Sequence, residues 1–126
     1  MLNKELVKTV KNLIKNGTRF NVEILDEIYH EDLRISRRES GDALHVIDKS
    51  ENLAFFRSKR NVGAKPLSPE ATFLYAHASG PVGHVVLERK MQLRDNHEHL
   101  LYNIVLRKVE EQWTVVSEFV LPLNGR

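Results

Sequence analysis

Arg89 is the residue with the clearest chemical potential in this sequence of 126 residues. It lies in a segment that alternates as a β-strand does, and it shares its side with Val85, Leu87 and Met91. A guanidinium on an apolar sheet face is costly unless it has a partner or water. Because it can clamp a carboxylate or an enolate oxygen, Arg89 is the first candidate for a ligand anchor.

Two predicted hairpins decide which residues share the face of Arg89. A two-residue turn at Glu110-Glu111 puts Tyr102 and Ser117 on one face, and a turn at Asp95-Asn96 sets Arg89 directly opposite Tyr102. Both turns predict the same apolar face. Its other members are Val85, Leu87, Met91, Leu93, Leu100, Ile104, Leu106, Trp113, Val115, Phe119 and Leu121. We therefore expect Arg89, Tyr102 and Ser117 to line one ligand site.

The alternative for Arg89 is a structural ion pair with Glu31 or Asp32, since buried arginines are commonly paired inside the protein. Two further residues, Tyr75 and His77, would supply an acid–base pair if they point to the apolar side. A different loop length before the next strand would reverse the parity of their strand. The residues turned inwards would then be Thr72, Leu74 and Ala76.

Two aromatic residues complete the predicted ligand site. Tyr29 lies on the apolar stripe of a predicted second helix, where it would either line the pocket floor or pack in the core with its hydroxyl reaching the rim. Trp113 shares the apolar face and is expected mainly to pack in the core beside the site.

No pattern in the sequence favours a metal ion or a cofactor. There are no cysteines, which excludes disulfides, thiolate catalysis and zinc–sulfur sites. His97-Glu98-His99 offers two imidazoles at a hairpin end without an evident third ligand. We predict a protein that uses neither kind of group.

The charge balance argues against nucleic acid as a partner. Lys and Arg number 19 against 17 Asp and Glu, which gives a net charge of +2, and the basic residues are scattered. No stretch approaches the roughly 18 apolar residues that a membrane helix needs. Since the charged N-terminus also lacks the apolar run of a signal peptide, a cytoplasmic protein is expected.

Hydrophobic spacing predicts the elements that must hold these residues. A first helix carries apolar residues from Leu6 to Ile14 and stops near Gly17. A third helix opens on the capping box Asp48-Lys49-Ser50-Glu51 and ends near Gly63. Strands are predicted at 33–37 and 43–47, with four more that start at Ala71, Gly83, His97 and Gln112. This is an α+β pattern, expected to form a single domain over residues 1–126.

The order of these elements resembles the NTF2-like superfamily, which includes SnoaL-like and ketosteroid-isomerase-like proteins. The matching segments are Ile28-Tyr29-His30-Glu31-Asp32-Leu33-Arg34-Ile35, Asp48-Lys49-Ser50-Glu51-Asn52-Leu53-Ala54-Phe55-Phe56, Val105-Leu106-Arg107-Lys108 and Trp113-Thr114-Val115-Val116. The resemblance covers nearly the whole chain. It implies a cone, in which a curved and mostly antiparallel sheet wraps around N-terminal helices, with a pocket at the open end and a homodimer as the usual assembly.

The residues expected of isomerase-like members are missing. Aligning 29–33 with the usual strand entry places Arg37 where those members hold a general-base aspartate. The first helix offers no tyrosine for an oxyanion, and Ser117 and Phe119 lie where many members have a histidine. The resemblance therefore implies an NTF2-like protein without the classical isomerase residues, and it leaves open whether the protein is an enzyme.

The opposite sheet face is mixed, which fits a homodimer interface; the alternative is a solvated face. Its predicted members are His84, Val86, Glu88, Lys90, His99, Leu101, Asn103, Val105, Val116, Glu118 and Val120.

Three functions stay open. The first is binding of a small, largely apolar ligand with a carbonyl or carboxylate group. The second is a lyase, isomerase or cyclase on a small carbonyl compound, in which Arg89 stabilises negative charge and His77 or Tyr102 moves the proton. The third is a dimerisation or accessory module whose cone is filled by Trp113, Phe119 and Phe56.

Overall fold

The computed structural model describes residues 1–38, 43–93 and 96–123. These residues form three helices and six strands. The helices are α1 (Lys4–Thr18), α2 (Val22–Ile28) and α3 (Lys49–Asn61). The strands are β1 (Tyr29–Arg38), β2 (Leu44–Asp48), β3 (Ala71–Ser79), β4 (Val82–Leu93), β5 (Asn96–Val109) and β6 (Gln112–Pro122). None of the helices in these ranges is long and apolar enough to cross a bilayer.

Side-chain caps fix the starts of two helices. Asn3 accepts a hydrogen bond from the backbone N–H of Leu6 at 3.0 Å and caps α1. The predicted capping box of α3 is confirmed, because Asp48 accepts from the N–H of Glu51 at 2.9 Å and Glu51 accepts from the N–H of Asp48 at 3.2 Å. The sequence predicts Tyr29 within the second helix, and this is wrong, because Tyr29 is the first residue of β1.

All six strands join one curved, unclosed sheet in the order β2-β1-β6-β5-β4-β3. Neighbouring strands pair antiparallel, except that β1 and β6 run parallel. The inner face packs against α1 and α2, and this burial forms the main core. Its fully buried members include Leu6, Val10, Leu25, Leu87, Leu106 and Val115. The α+β architecture is the one that the sequence predicts.

A bulge interrupts the alternation of side chains in β6. Leu106 pairs with Val115, as the turn at Glu110-Glu111 predicts, but the next residue of β5, Val105, pairs with Ser117. Val116 is therefore an extra residue in β6. One added residue in a strand moves every later side chain to the opposite face.

The bulge reverses which residues at the end of β6 face inwards. Glu118 and Val120 lie on the inner face and are only 6% and 4% exposed. Ser117, Phe119 and Leu121 pair with outer-face residues of β5, so the prediction that they face inwards is wrong. The prediction that put Glu118 on the outer face is wrong for the same reason.

A second bulge divides β3. Phe73 pairs with an inner-face residue of β4, whereas Tyr75 pairs with an outer-face residue, so Leu74 is the extra residue. Tyr75 and His77 consequently face outwards, and the prediction that they point to the apolar side is wrong. The alternative parity is also wrong in part, because Ala76 is buried while Leu74 is exposed.

The pairing of β4 with β5 differs from the prediction by two residues. Arg89 pairs with Leu100 and not with Tyr102, because β4 and β5 already meet at the pair Leu93 and Asn96. The predicted turn also includes residue 95, which lies outside the described residues. Since a slip of two keeps each side chain on its face, Arg89 and Tyr102 still share the inner face.

Candidate functional site

A cavity of about 630 Å³ opens between the inner sheet face, α1, α3 and the segment that follows α3. Its volume is within the range of small-molecule sites. Apolar residues form most of the wall, among them Ile14, Phe20, Phe56, Leu87, Met91 and Ile104. Five polar side chains, here called the polar cluster, also line it: Tyr29, Asn52, Arg89, Tyr102 and Glu118. They come from β1, α3, β4, β5 and β6, so the fold alone brings them together.

Arg89 is the buried cation of the polar cluster and is 9% exposed. Its Nη2 donates to the backbone oxygen of Ser68 at 2.8 Å, and its Nε makes no hydrogen bond. The guanidinium carbon lies 5.8 Å from the centre of the Tyr102 ring. Within the described ranges no carboxylate forms an ion pair with Arg89; the side chain of Asp32 is 81% exposed and lies 3.8 Å from His30. The alternative of a structural pair with Glu31 or Asp32 is therefore wrong, since both lie among the described residues and neither pairs with Arg89.

Glu118 is the buried acid of the polar cluster. Burial raises the pKa of its carboxyl group to about 7, while a hydrogen bond from Tyr29 and the positive charge of Arg89 act in the opposite direction. The pKa of the group therefore lies near neutral pH. Such a carboxyl group can both accept and donate a proton.

The two tyrosines of the polar cluster stay protonated. Burial and the nearby Glu118 carboxylate raise the pKa of Tyr29 well above its usual range. Burial also raises the pKa of Tyr102, and the charge of Arg89 limits that shift. Both phenols line the cavity and can therefore donate hydrogen bonds as neutral groups.

Asn52 closes the polar cluster from the helical side. It is 5% exposed, and its Nδ2 makes no hydrogen bond. It lies close enough to Tyr29 to lower the pKa of that phenol slightly against the larger effects of burial. Asn52 therefore places a buried amide beside the Tyr29 hydroxyl at the wall of the cavity.

Arg37 occupies the rim of the cavity and is already paired. Its Nη2 donates to both carboxylate oxygens of Glu98, at 2.8 and 2.9 Å. The residue that the resemblance aligns with a catalytic aspartate thus forms an ion pair through one guanidinium nitrogen. His99 lies 3.5 Å from Glu88 on the outer face, whereas Glu98 pairs with Arg37 at the cavity rim.

The structure brings three of the predicted site residues to the cavity, namely Arg89, Tyr102 and Tyr29. It does not bring Ser117, Tyr75 or His77 there, because the two bulges turn them to the outer face. Trp113 faces inwards but lies away from the cavity. Its Nε1 donates to Glu5 at 3.4 Å, and Lys108 lies 5.6 Å from its ring.

Sequence reasoning misses Glu118 and Asn52 as site residues. Simple alternation along β6 predicts that Glu118 faces outwards. The bulge reverses this, and no residue type in β6 indicates that a bulge is present. For Asn52 a signal exists, since Asn52, Phe56 and Lys59 share a helix face by their spacing, and all three line the cavity. No group of three or more His, Asp or Glu side chains in the described ranges could hold a metal ion.

Comparison with solved structures identifies the fold. An NTF2-like protein from Cytophaga hutchinsonii superposes with a TM-score of 0.78, and the match covers 98% of this chain and 100% of that one at 16% identity. The protein has an NTF2-like fold. NTF2-like proteins of unknown function from Silicibacter pomeroyi and Shewanella baltica give TM-scores of 0.75 and 0.73 at 13% and 15% identity. These two matches cover 94% and 97% of this chain, and 93% and 94% of theirs.

The predicted resemblance is thereby confirmed at the level of fold. No family model matches the chain, and no curated protein matches it significantly. Identities this low carry no information about activity, which must be argued from the NTF2-like cavity itself.

The raised pKa of Glu118 predicts a specific pH dependence of stability. The carboxyl group titrates near 4.5 when unfolded and at about 7 in the fold, so the native state binds the extra proton between these values. The free energy of unfolding therefore contains a contribution that is lost as pH rises through this window, on the order of 3 kcal/mol in total. Urea unfolding of the wild type and Glu118→Gln at about pH 5 and pH 8 measures it.

The Glu118→Gln variant should gain stability relative to the wild type as pH rises. Glu70→Gln, at an exposed position, is the matched control and should follow the wild type at both pH values. Parallel pH profiles for wild type and Glu118→Gln would show that the carboxyl group is not buried.

Proposed function

We propose that the protein binds a small, largely apolar molecule that bears a carbonyl or carboxylate group, and that Arg89 anchors this group. The observation that carries the proposal is a buried guanidinium that forms no direct ion pair with a carboxylate of the described residues and lies on an apolar-walled cavity of about 630 Å³. Arg89 donates to the backbone oxygen of Ser68 at 2.8 Å, and its guanidinium can donate further charged hydrogen bonds to a ligand oxygen in the cavity.

The form of the cavity supports binding over a filled accessory module. In that alternative Trp113, Phe119 and Phe56 would occupy the cone. Phe119 instead faces outwards at 40% exposure, Trp113 packs beside Glu5, and Phe56 forms part of a wall around open space. An open apolar cavity with a few converging polar groups is the usual form of a small-molecule site.

Replacing Arg89 tests the proposed anchor. Native mass spectrometry with a panel of apolar ketones and carboxylates should show binding to the wild type and at least about tenfold weaker binding to Arg89→Met, because the charged hydrogen bonds are lost. Arg107→Met, at an exposed position of β5, is the matched control and should bind as the wild type does.

The thermal unfolding of the same variants separates a ligand role from a structural one. Arg89→Met should stay folded, since it removes a buried charge together with one hydrogen bond to Ser68. Unchanged binding by Arg89→Met would contradict the anchor, and a variant that unfolds at room temperature would assign Arg89 a structural role.

The same mass spectra test the assembly. We propose a homodimer that forms through the outer sheet face, where Phe119, Leu101, Val105 and Val116 make an apolar streak at the surface. Tyr75 extends this face on β3, with 44% exposure. The expected species has twice the chain mass of 14.6 kDa, and a monomer at micromolar concentration would contradict the interface.

A lyase, isomerase or cyclase acting on a small carbonyl compound is the second candidate. Glu118 favours it, because a buried carboxyl group with a pKa of about 7 suits proton transfer at neutral pH. His77 cannot take this role from the outer face. Glu118 would remove a proton beside the carbonyl group, and Arg89 and Tyr102 would stabilise the enolate oxygen.

Deuterium exchange separates turnover from binding alone. The wild type should speed exchange of the protons beside the carbonyl group of a bound cyclic ketone in D₂O, followed by proton NMR. Glu118→Gln should slow this exchange by about 100-fold or more, as expected for loss of a general base, while Glu70→Gln should not. Equal exchange rates with and without protein would leave binding as the function.

A further inference from the structure

The polar cluster contains one fixed positive charge and one acid. Arg89 and Glu118 are both more than nine-tenths buried and line the same cavity. Their charges influence each other, because Arg89 lowers the pKa that burial raises at Glu118. The charge at the centre of the cavity is therefore near zero when Glu118 is ionised and near +1 when Glu118 is protonated.

Within the polar cluster, Glu118 is the group that can change its charge near neutral pH. Glu118 interacts with the phenols of Tyr29 and Tyr102 and with the guanidinium of Arg89, and the amide of Asn52 lies beside Tyr29. The charged and titratable groups at the rim are the Arg37–Glu98 pair, Glu51, Lys59, Lys65 and His45. Of these, His45 is exposed on β2, so its titration must be tested separately.

We propose that the cavity takes an apolar monocarboxylate together with one proton, with the ligand carboxylate at Arg89 and the proton on Glu118. This rests on the proposed binding function and names the class of ligand. No covalent bond forms or breaks, and the proton comes from solvent.

Electrostatics in the apolar cavity requires this coupling. A carboxylate ligand that met an ionised Glu118 would place two negative charges beside one buried guanidinium on an apolar-walled cavity. Two carboxylates in such a site do not both stay ionised, and the group with the higher pKa takes the proton. Once Glu118 is neutral, the ligand and Arg89 form a single balanced ion pair.

Glu118 thereby acts as the residue that selects the charge of the ligand. A neutral ketone or amide of the same shape needs no proton, because the Arg89 and Glu118 charges already balance each other. The affinity of such a ligand does not change with pH, so it competes best at alkaline pH, where the carboxylate binds weakly. The carboxylate competes best below neutral pH.

The test compares matched probes that differ only in charge. Benzoate, 2-naphthoate and octanoate are each titrated calorimetrically into the wild-type protein against their own carboxamides. In buffers of different ionisation enthalpy, the carboxylates should bind with uptake of close to one proton per site at about pH 8. Their Kd should rise about tenfold per pH unit above pH 7, while the Kd of the carboxamides should stay constant.

Single-residue variants show which side chain takes up the proton that accompanies ligand binding. Glu118→Gln should bind the carboxylates with no proton uptake and with a Kd that is independent of pH. His45→Gln and Glu70→Gln should retain the uptake and pH dependence of the wild type. The comparison of carboxylate with carboxamide uses the wild type alone, so it remains valid if Glu118→Gln does not fold.

The outcomes distinguish this inference from the function on which it rests. If none of the six probes binds, both are wrong. If carboxylates and carboxamides bind equally well without proton uptake, the cavity binds small molecules but the coupling is wrong. If uptake persists in Glu118→Gln and disappears in His45→Gln, the proton belongs to the rim and the assignment to Glu118 is overturned.

Discussion

One extra residue in the last strand determines the chemistry of this protein. Val116 has no counterpart on β5, and the alternation of side chains resumes one position late. Glu118 is consequently turned from the outer face to the inner face, where it meets Tyr29 and Arg89. Without the bulge the cavity would contain a serine and a phenylalanine from this strand, together with an isolated guanidinium. The buried acid exists because of a backbone irregularity.

Burying two charged groups in the site costs folding free energy. Removing Glu118 and Arg89 from water is unfavourable for each, and the cost is offset only in part by their mutual attraction and by the hydrogen bonds from Tyr29 and to Ser68. The protein lowers the cost by letting Glu118 exist partly in its neutral form. The core formed by α1, α2 and the inner sheet face holds these groups in place. A buried acid beside a buried cation on a cavity wall is an arrangement that is common at functional sites.

Sequence patterns within a few residues predict the helices and strands well. The wrong predictions concern how the strands pair. Helix caps and apolar spacing find α1 and α3, and the capping box at Asp48 is correct in atomic detail, because these signals lie within a few residues. The face of Arg89 is also correct, since a register slip of two residues preserves it. The bulges at Leu74 and Val116 cannot be found this way, because an extra residue in a strand changes no composition and is fixed by packing across the sheet. These two positions account for the wrong assignments of Tyr75, His77 and Ser117.

The NTF2-like fold provides the cavity, while the side chains that enter it determine what it can bind. The most direct test of the account is a titration of the Glu118 carboxyl carbon by ¹³C NMR, with Glu118→Gln used to assign the signal. A midpoint at about 7 is expected for a carboxyl group that the bulge turns into the cavity. A midpoint near the ordinary value of 4.5 would mean that Glu118 faces solvent, and the account of the site would then be wrong.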